Sequence, residues 1–303
     1  MQPRIASCPI CGETAGWPIP FRRRLEQGTL KIEDVAAPGY AWVLCRRCGN
    51  GYPTAQPDLG RLASAWNTAQ SDAPLDPRKA AALEEFQRRF SRVNAERAHK
   101  FFAPLVNGGK PGRMLDVACG LGETAHCFTE HGWNVEGTDA DPAMLRHHRE
   151  RGIRSRIGQF EQMEFKDKVE FIHIAHAIYF MTDPMQTLRR ATTLLNPSGI
   201  LGLVLADFMA VFDPGQPSYV HTFYPTASSM RYALALAGFD TILTRRMSGS
   251  IYMAARSATV ALPAVNVARI YRSYRTKPWR YALIGRPYRA ARRLAKALLA
   301  RAP

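Results

Sequence analysis

Around residue 115 the chain runs from an apolar segment into glycines. Leu115 and Val117 give residues 113–117 the character of a buried strand, Gly120 and Gly122 form a turn, and a helix opens at Glu123. A second strand is predicted over residues 133–139, ending on Asp139. Upstream, Pro74, Pro77 and the polar stretch around Ser71 mark a turn before a long helix spanning about residues 78–104. There Phe86, Phe90, Val93, Phe101 and Phe102 recur at helical spacing, which predicts packing beside a sheet, with a share in covering a bound cofactor. Near the end, Arg289, Arg292, Arg293 and Lys296 fall on one helical face and Tyr288, Ala291, Ala295 and Leu298 on another.

A strand that ends in a glycine turn and leads into a helix lets backbone approach a ligand where a side chain would collide. Asp139 follows this turn at a spacing that suits a carboxylate on a ribose hydroxyl pair. Together these features predict an adenosine-type cofactor. Residues 120–125 also satisfy the loose G-x-G-x-x-G/A pattern of dinucleotide folds. A diphosphate on the helix N-terminus would meet Asp116 just before the turn and Glu123 just after it. Those two carboxylates suit a cationic ligand instead, such as the sulfonium and amino groups of S-adenosylmethionine.

These residues resemble the class I S-adenosylmethionine-dependent methyltransferases, whose first motif is an acidic residue followed by G-x-G-x-G. Here it reads Asp116-Val-Ala118-Cys119-Gly120-Leu-Gly122, with Ala118 in the place of the first glycine. The resemblance spans about residues 80–257. It implies a Rossmann-like, doubly wound α/β fold with a seven-stranded sheet. It puts the ribose carboxylate on Asp139, beside Ala140. It puts the adenine-contacting segment on residues 157–161, with Gln159 for the usual acidic residue and Phe160 next to it. The fourth strand then falls on residues 169–176, the turn into the fifth on 194–205, and the terminal pair on 238–243 and 250–255.

Six cysteines occur, four of them in Cys8-Pro-Ile-Cys11-Gly and Cys45-Arg-Arg-Cys48-Gly. Two such knuckles predict a zinc ribbon whose four thiolates close the coordination sphere, so the Zn2+ should be structural. Residues 40–44 read as the return strand of its hairpin. Redox motifs or disulfides are the other readings; without a visible signal peptide, a reducing cytoplasmic setting disfavours disulfides. Cys119 reads as a small residue of the cofactor turn and Cys127 as core packing. A ribbon ahead of the class I domain is similar to that of some methyltransferases of small molecules, sugars and cell-surface glycans. That resemblance implies a role on the acceptor side of the active site or in an interface.

The predicted order is a ribbon (1–58), a helical linker or lid (59–107), the catalytic domain (108–257) and a basic tail (258–303). A hydrophobic fraction of 46% is ample for a core, and no run of 18 apolar residues spans a membrane. The formal net charge of +16 belongs largely to the tail: eleven of the 41 Lys and Arg, and none of the 25 Asp and Glu, lie in 258–303. There Tyr271, Tyr274, Trp279 and Tyr281 are interleaved with Arg272, Arg275, Lys277 and Arg280. Such a segment suits the anionic inner face of a membrane, RNA phosphates, or docking through its apolar face.

Methyl transfer displaces a neutral thioether, so the protein mainly positions the acceptor and removes its proton where needed. Candidate bases are His221, in the segment that related sequences place beside the acceptor pocket, and His176 and Tyr179 after strand four. His126, His131, His147 and His148 read as helix-surface or helix-end residues with no assigned role. Residues 175–179 lack the Asn/Asp-Pro-Pro-aromatic motif of many nucleobase N-methyltransferases, and no cysteine follows Cys127 to act as a nucleophile on a pyrimidine. The expectation is O-methylation, or methylation of an activated carbon, on a sugar, glycolipid precursor or secondary metabolite. A ribosomal or transfer RNA methyltransferase using the tail to hold RNA is the alternative, and a non-catalytic scaffold the third reading.

Overall fold

The computed structural model describes residues 7–19, 41–54, 77–142, 144–181, 183–211 and 222–280. The chain divides into two compact units, Met1–Val265 and Asn266–Pro303.

The first unit begins with a three-stranded antiparallel sheet, β1 (Gly16–Ile19), β2 (Trp42–Cys45) and β3 (Gly51–Pro53), with β2 in the middle. Trp42 and Leu44 are wholly buried. Gly16 leaves room for Val43, whose Cβ and Cγ2 would stand 2.7 Å from any added Cβ.

Helix α1 (Pro77–Phe102) follows, close to its expected span. Phe101 and Phe102 of the aromatic pattern pack into the core, its earlier members Phe90 and Val93 do not, and the Phe86 side chain lies outside the described residues. Ala95, Ala98 and Phe102 are buried, whereas Phe90 is 63% and Val93 49% exposed. The alanines win because a short side chain lets the helix backbone approach the body closely. Phe102 then enters a cluster with Phe171 and Tyr252, at ring-centroid distances of 5.5 and 6.2 Å.

The main sheet contains β4 (Arg113–Val117), β5 (Asn134–Asp139), β6 (Arg154–Ile157), β7 (Val169–Ala175), β8 (Leu195–Ala206), β9 (Phe239–Met247) and β10 (Ser250–Ser257). Their order is β6-β5-β4-β7-β8-β10-β9; the first five are parallel, and β10 runs antiparallel to both β8 and β9. This is the doubly wound, Rossmann-like sheet expected from the sequence. Helices α2 (Glu123–Glu130), α3 (Met144–Glu150), α4 (Pro184–Leu194), α5 (Phe208–Val211) and α6 (Ala227–Leu236) connect the strands. β7 is buried along nearly its whole length, as a parallel strand covered on both faces must be. Asp183 caps α4 by accepting from the amides of Met185 and Gln186, with Pro184 opening the helix. Thr226 and Ser229 form a reciprocal capping box on α6. Phe102, Phe128, Trp133, Phe171 and Tyr252 build the core on one face of the sheet. Gly202 makes space for them: an added Cβ would lie 2.7 Å from Phe171 and 3.0 Å from Phe102.

Strand order reverses between β4 and β7. In open α/β sheets, ligands bind beyond the carboxyl ends of the strands at such a point. The second unit contains α7 (Val267–Arg280). Among the described residues, no helix is long and apolar enough to cross a membrane.

Candidate cofactor and acceptor site

β4 delivers the chain to the switch point in a left-handed turn, with Ala118 at φ 53°, Gly120 at 53° and Gly122 at 80°. The departure from the family's first glycine is thus accommodated in strained backbone, since a left-handed alanine costs about 1–2 kcal/mol. The two glycines serve different ends. No atom outside its neighbours lies within 4 Å of an added Cβ at Gly120, so that position borders open space. At Gly122 a Cβ would lie 2.5 Å from Ile153 Cδ1 and 3.1 Å from His148 Cδ2, so this glycine lets α2 start against the protein itself. Cys119 packs over Gly137, where an added Cβ would come within 2.8 Å of its sulfur.

Asp139 closes the turn from the end of β5. Its Oδ2 accepts from the Gly120 amide at 2.8 Å and its Oδ1 from the Asp141 amide at 2.9 Å. Burial raises its pKa, and the two amides pull in the opposite direction. The Gly158 amide donates to the Asp139 carbonyl at 2.8 Å, which brings the adenine-segment candidates alongside. Ala140 and Gln159 are exposed, and Gln159 accepts from Gln162 at 2.9 Å. Phe160 turns inward instead: it is 3% exposed, packed on Phe165 and approached by the Arg190 guanidinium.

Asp116 is 2% exposed at the floor of the turn. Its Oδ1 accepts from His173 Nδ1 at 2.8 Å, because β4 and β7 pair in a register that sets Asp116 beside His173. Among the described residues, Asp116 Oδ2 and His173 Nε2 have no hydrogen-bond partner. A buried carboxylate oxygen without a partner is costly, and it fits a site for a cationic group. His173 was legible only as a polar residue in a buried strand; its partner needed the register.

Two expectations change here. His148 is fully buried, not a helix-surface residue, and His147 is 6% exposed. His148 Nε2 lies 2.6 Å from the Gly120 carbonyl, which can only accept, so this nitrogen carries the proton; Nδ1 then accepts from Ser155 Oγ at 2.9 Å. α3 is short and tucked against the turn, so one face of it cannot reach water. Glu123, too, does not stand as a free charge at the turn: its carboxylate is 2.5 Å from Arg151 and almost fully buried, which cancels its effect on a ligand. Of the two carboxylates that flank the turn, Asp116 alone is left to meet a cationic ligand.

Among the candidate bases, His176 adopts φ 53° just beyond β7. Its Nδ1 meets the Tyr179 hydroxyl at 2.9 Å and its Nε2 lies 3.4 Å from Ser250 Oγ. Desolvation by the protein atoms packed around the ring, aided by His173, lowers its pKa to about 4, although the residue as a whole is exposed. Tyr179 is buried, which raises its pKa and keeps its proton in place. The Tyr179 carbonyl accepts from both the amide and the hydroxyl of Thr222 at 2.9 and 2.8 Å. His221 lies outside the described residues.

The same segment carries the small sheet. Tyr224 and Gly51 exchange two backbone hydrogen bonds, of 2.7 and 2.9 Å, and Thr226 Oγ1 donates to the Gly49 carbonyl at 3.2 Å. Gly49 and Gly51 directly follow the second knuckle. The sulfurs of Cys8, Cys11, Cys45 and Cys48 all lie within 4.8 Å of one another, with Cys8–Cys48 at 3.6 Å and Cys11–Cys45 at 3.5 Å. A tetrahedron with metal–sulfur bonds of about 2.3 Å has edges of about 3.8 Å, so the donor set fits a four-thiolate metal. The Arg47 and Cys48 amides point at the Cys45 sulfur, at 3.4 and 3.5 Å, and Gly12 and Gly49 take left-handed φ of 72° and 70° after their knuckles.

Residues 115–203 match the family model described as a methyltransferase domain. No curated protein matches the chain. Among solved structures it is similar to the CcbJ methyltransferase from Streptomyces caelestis, at 14% identity over 55% of this chain and 90% of that one, with a TM-score of 0.47. It is also similar to the PH0226 protein from Pyrococcus horikoshii (17% identity, 57% and 91% coverage, TM-score 0.47). A third is the glycopeptide N-methyltransferase MtfA complexed with sinefungin (16% identity, 55% and 93% coverage, TM-score 0.45). The segment matched as a methyltransferase domain holds the glycine turn, Asp139 and the β7–β8 core of the seven-stranded sheet, and it lies behind a four-cysteine module.

Proposed function

We propose that the protein is an S-adenosylmethionine-dependent methyltransferase that O-methylates a sugar, glycolipid precursor or secondary metabolite. The observation that carries the cofactor reading is the partnerless, buried Asp116 Oδ2 on the strand that leads into the turn, whose Gly120 borders open space. Asp116 would take the amino group of the methionine moiety, with His173 fixing the carboxylate through its other oxygen. Asp139, already held by two backbone amides, keeps acceptor lone pairs for the ribose hydroxyls. Ala118, Cys119, Ala140 and Gln159 would line the nucleoside side. When bound, the cofactor supplies an electrophilic methyl and a neutral leaving group.

The protein's own part is to orient an acceptor oxygen in line with that methyl and to take its proton. His176 suits this task because it is uncharged at neutral pH. Tyr179 holds the imidazole through Nδ1, a positioning role that its burial favours over direct contact with acceptor. His221 is the second base we propose, on the segment that ends at Thr222. The four cysteines would bind one structural zinc. Their strand β3 grips residues 224–226, so the ribbon braces the acceptor side.

Purified protein incubated with methyl-labelled S-adenosylmethionine and a cell lysate tests this. Nuclease-resistant label in the lipid, polysaccharide or small-molecule fraction is expected. Nuclease-sensitive label would replace the reading by an RNA methyltransferase, and absence of cofactor binding by a scaffold.

A further inference from the structure

Helix α7 places an aromatic residue where its charge pattern alone would put a solvated face. Arg272, Arg275 and Trp279 stand at i, i+3 and i+7, so they form one stripe along the helix. Arg272 and Arg275 are exposed, and Trp279 is 72% exposed, the most open of the large hydrophobic side chains among the described residues. Arg269 is exposed as well, whereas Tyr274 is buried. Arg275 holds its guanidinium 5.9 Å from the Tyr271 ring. No acidic residue occurs anywhere from 258 to 303.

An exposed indole among arginines is expensive in water but suits the boundary between lipid headgroups and acyl chains, where an amphipathic ring has one wet and one dry side. The sequence beyond α7 continues in kind: Arg286, Arg289, Arg292, Arg293 and Lys296 share it with Leu283, Ile284, Leu294, Leu298 and Leu299. RNA phosphates would account for the arginines and a base could stack on the indole. Nothing in phosphate or base recognition calls for the five aliphatic residues, whereas insertion below the headgroups does. We infer that the Arg272–Arg275–Trp279 stripe of α7 seats the protein on an anionic lipid surface.

The test is co-sedimentation of the full chain with large vesicles of phosphatidylcholine alone or with about 30% phosphatidylserine. The expected result is binding to the phosphatidylserine vesicles at least about 10-fold stronger than to the neutral ones, lost in high salt as charges are screened. Arg272→Glu with Arg275→Glu should weaken binding by about 30-fold or more, from two surface cations at the usual strength of attraction. Brominated lipids should quench a component of the tryptophan emission that Trp279→Phe removes. These side chains are exposed, so circular dichroism should show both variants folded. Equal or absent binding to the two vesicle types would overturn the inference. So would undiminished binding by the double variant, or salt-sensitive binding to a short RNA with no bromolipid quenching.

Discussion

Replacing Asp116 by asparagine separates the role of its two oxygens. Oδ1 is held by His173 at 2.8 Å, and an amide oxygen can accept that bond equally well. Oδ2 has no partner among the described residues, so what sits there in the variant is a buried NH2 group. Two effects oppose each other in the ligand-free protein. Neutralising a buried, half-satisfied carboxylate relieves a desolvation cost, while an unsatisfied buried NH2 adds about 1–3 kcal/mol. Ligand-free Tm should therefore move little, by a few degrees in either direction. Cofactor binding should respond strongly. A hydrogen bond to a charged group is worth about 1.5–3 kcal/mol, which is about 10- to 150-fold in Kd. Isothermal titration calorimetry would measure S-adenosylmethionine, S-adenosylhomocysteine and 5′-methylthioadenosine against both proteins. The first two carry the amino group and should weaken together, and the third lacks it and should bind as before. Equal weakening of all three would show that Asp116 shapes the turn rather than meeting the ammonium. An unchanged Kd with a collapse of Tm would make Oδ2 purely structural.

The other perturbations divide along the same lines. Gly120→Ala enters open space at φ 53°, so its stability cost should stay near the 1–2 kcal/mol of a left-handed alanine while cofactor Kd rises at least tenfold; Gly122→Ala adds a collision with Ile153 and should lose a further 1–3 kcal/mol or so by urea titration. Elemental analysis should find one zinc per chain, and Cys45→Ser should lose it and slow methyl transfer more than it weakens cofactor binding; retention of full metal would contradict the four-thiolate assignment. His176→Ala should slow turnover about 100-fold with cofactor Kd unchanged. Since desolvation of the ring lowers the His176 pKa to about 4, the imidazole is the active, unprotonated form above that pH, so transfer should hold its rate down to about pH 5 and fall tenfold per unit below pH 4; an acid limb centred near 6.5 would point to another base.

The first strands and the glycine turn were legible because their causes are local, whereas the order of the whole sheet came from the family resemblance. Leu115 and Val117 announce a strand, Gly120 and Gly122 a left-handed turn, and the two knuckles a cluster of four cysteines. What stayed hidden depends on register or on crowding. His173 becomes the partner of Asp116 only when β7 lies beside β4, 57 residues away in sequence. His147 and His148 look like the polar end of a helix until α3 is pressed onto the glycine turn. Glu123 looked like a charge aimed at the ligand, and Arg151, from the end of the next helix, takes it out of play. Phe90 and Val93 fit a helical stripe, yet Ala95 and Ala98 make the contact, because periodicity does not reveal which of two faces can approach more closely.

The two halves of the site are built differently, and this governs what a mutation can separate. The cofactor half comes from β4 to β6 and the turns between them, so its residues are linked by short connections and by the bonds of Asp139 and His148 to Gly120. The half we propose for the acceptor is assembled from distant pieces: His176 and Tyr179 after β7, Thr222 and Tyr224 after β8, Ser250 on β10, and Gly49 and Gly51 beside the cysteines. A change in the glycine turn should therefore disturb the nucleoside pocket and leave the ribbon intact. A change in the ribbon reaches residues 222–226 through three hydrogen bonds and Tyr179 through two more, without touching Asp116 or Asp139. Loss of the ribbon's metal with cofactor affinity and transfer falling in equal proportion would mean that the halves are not independent, and that the small sheet supports the whole domain rather than its acceptor side.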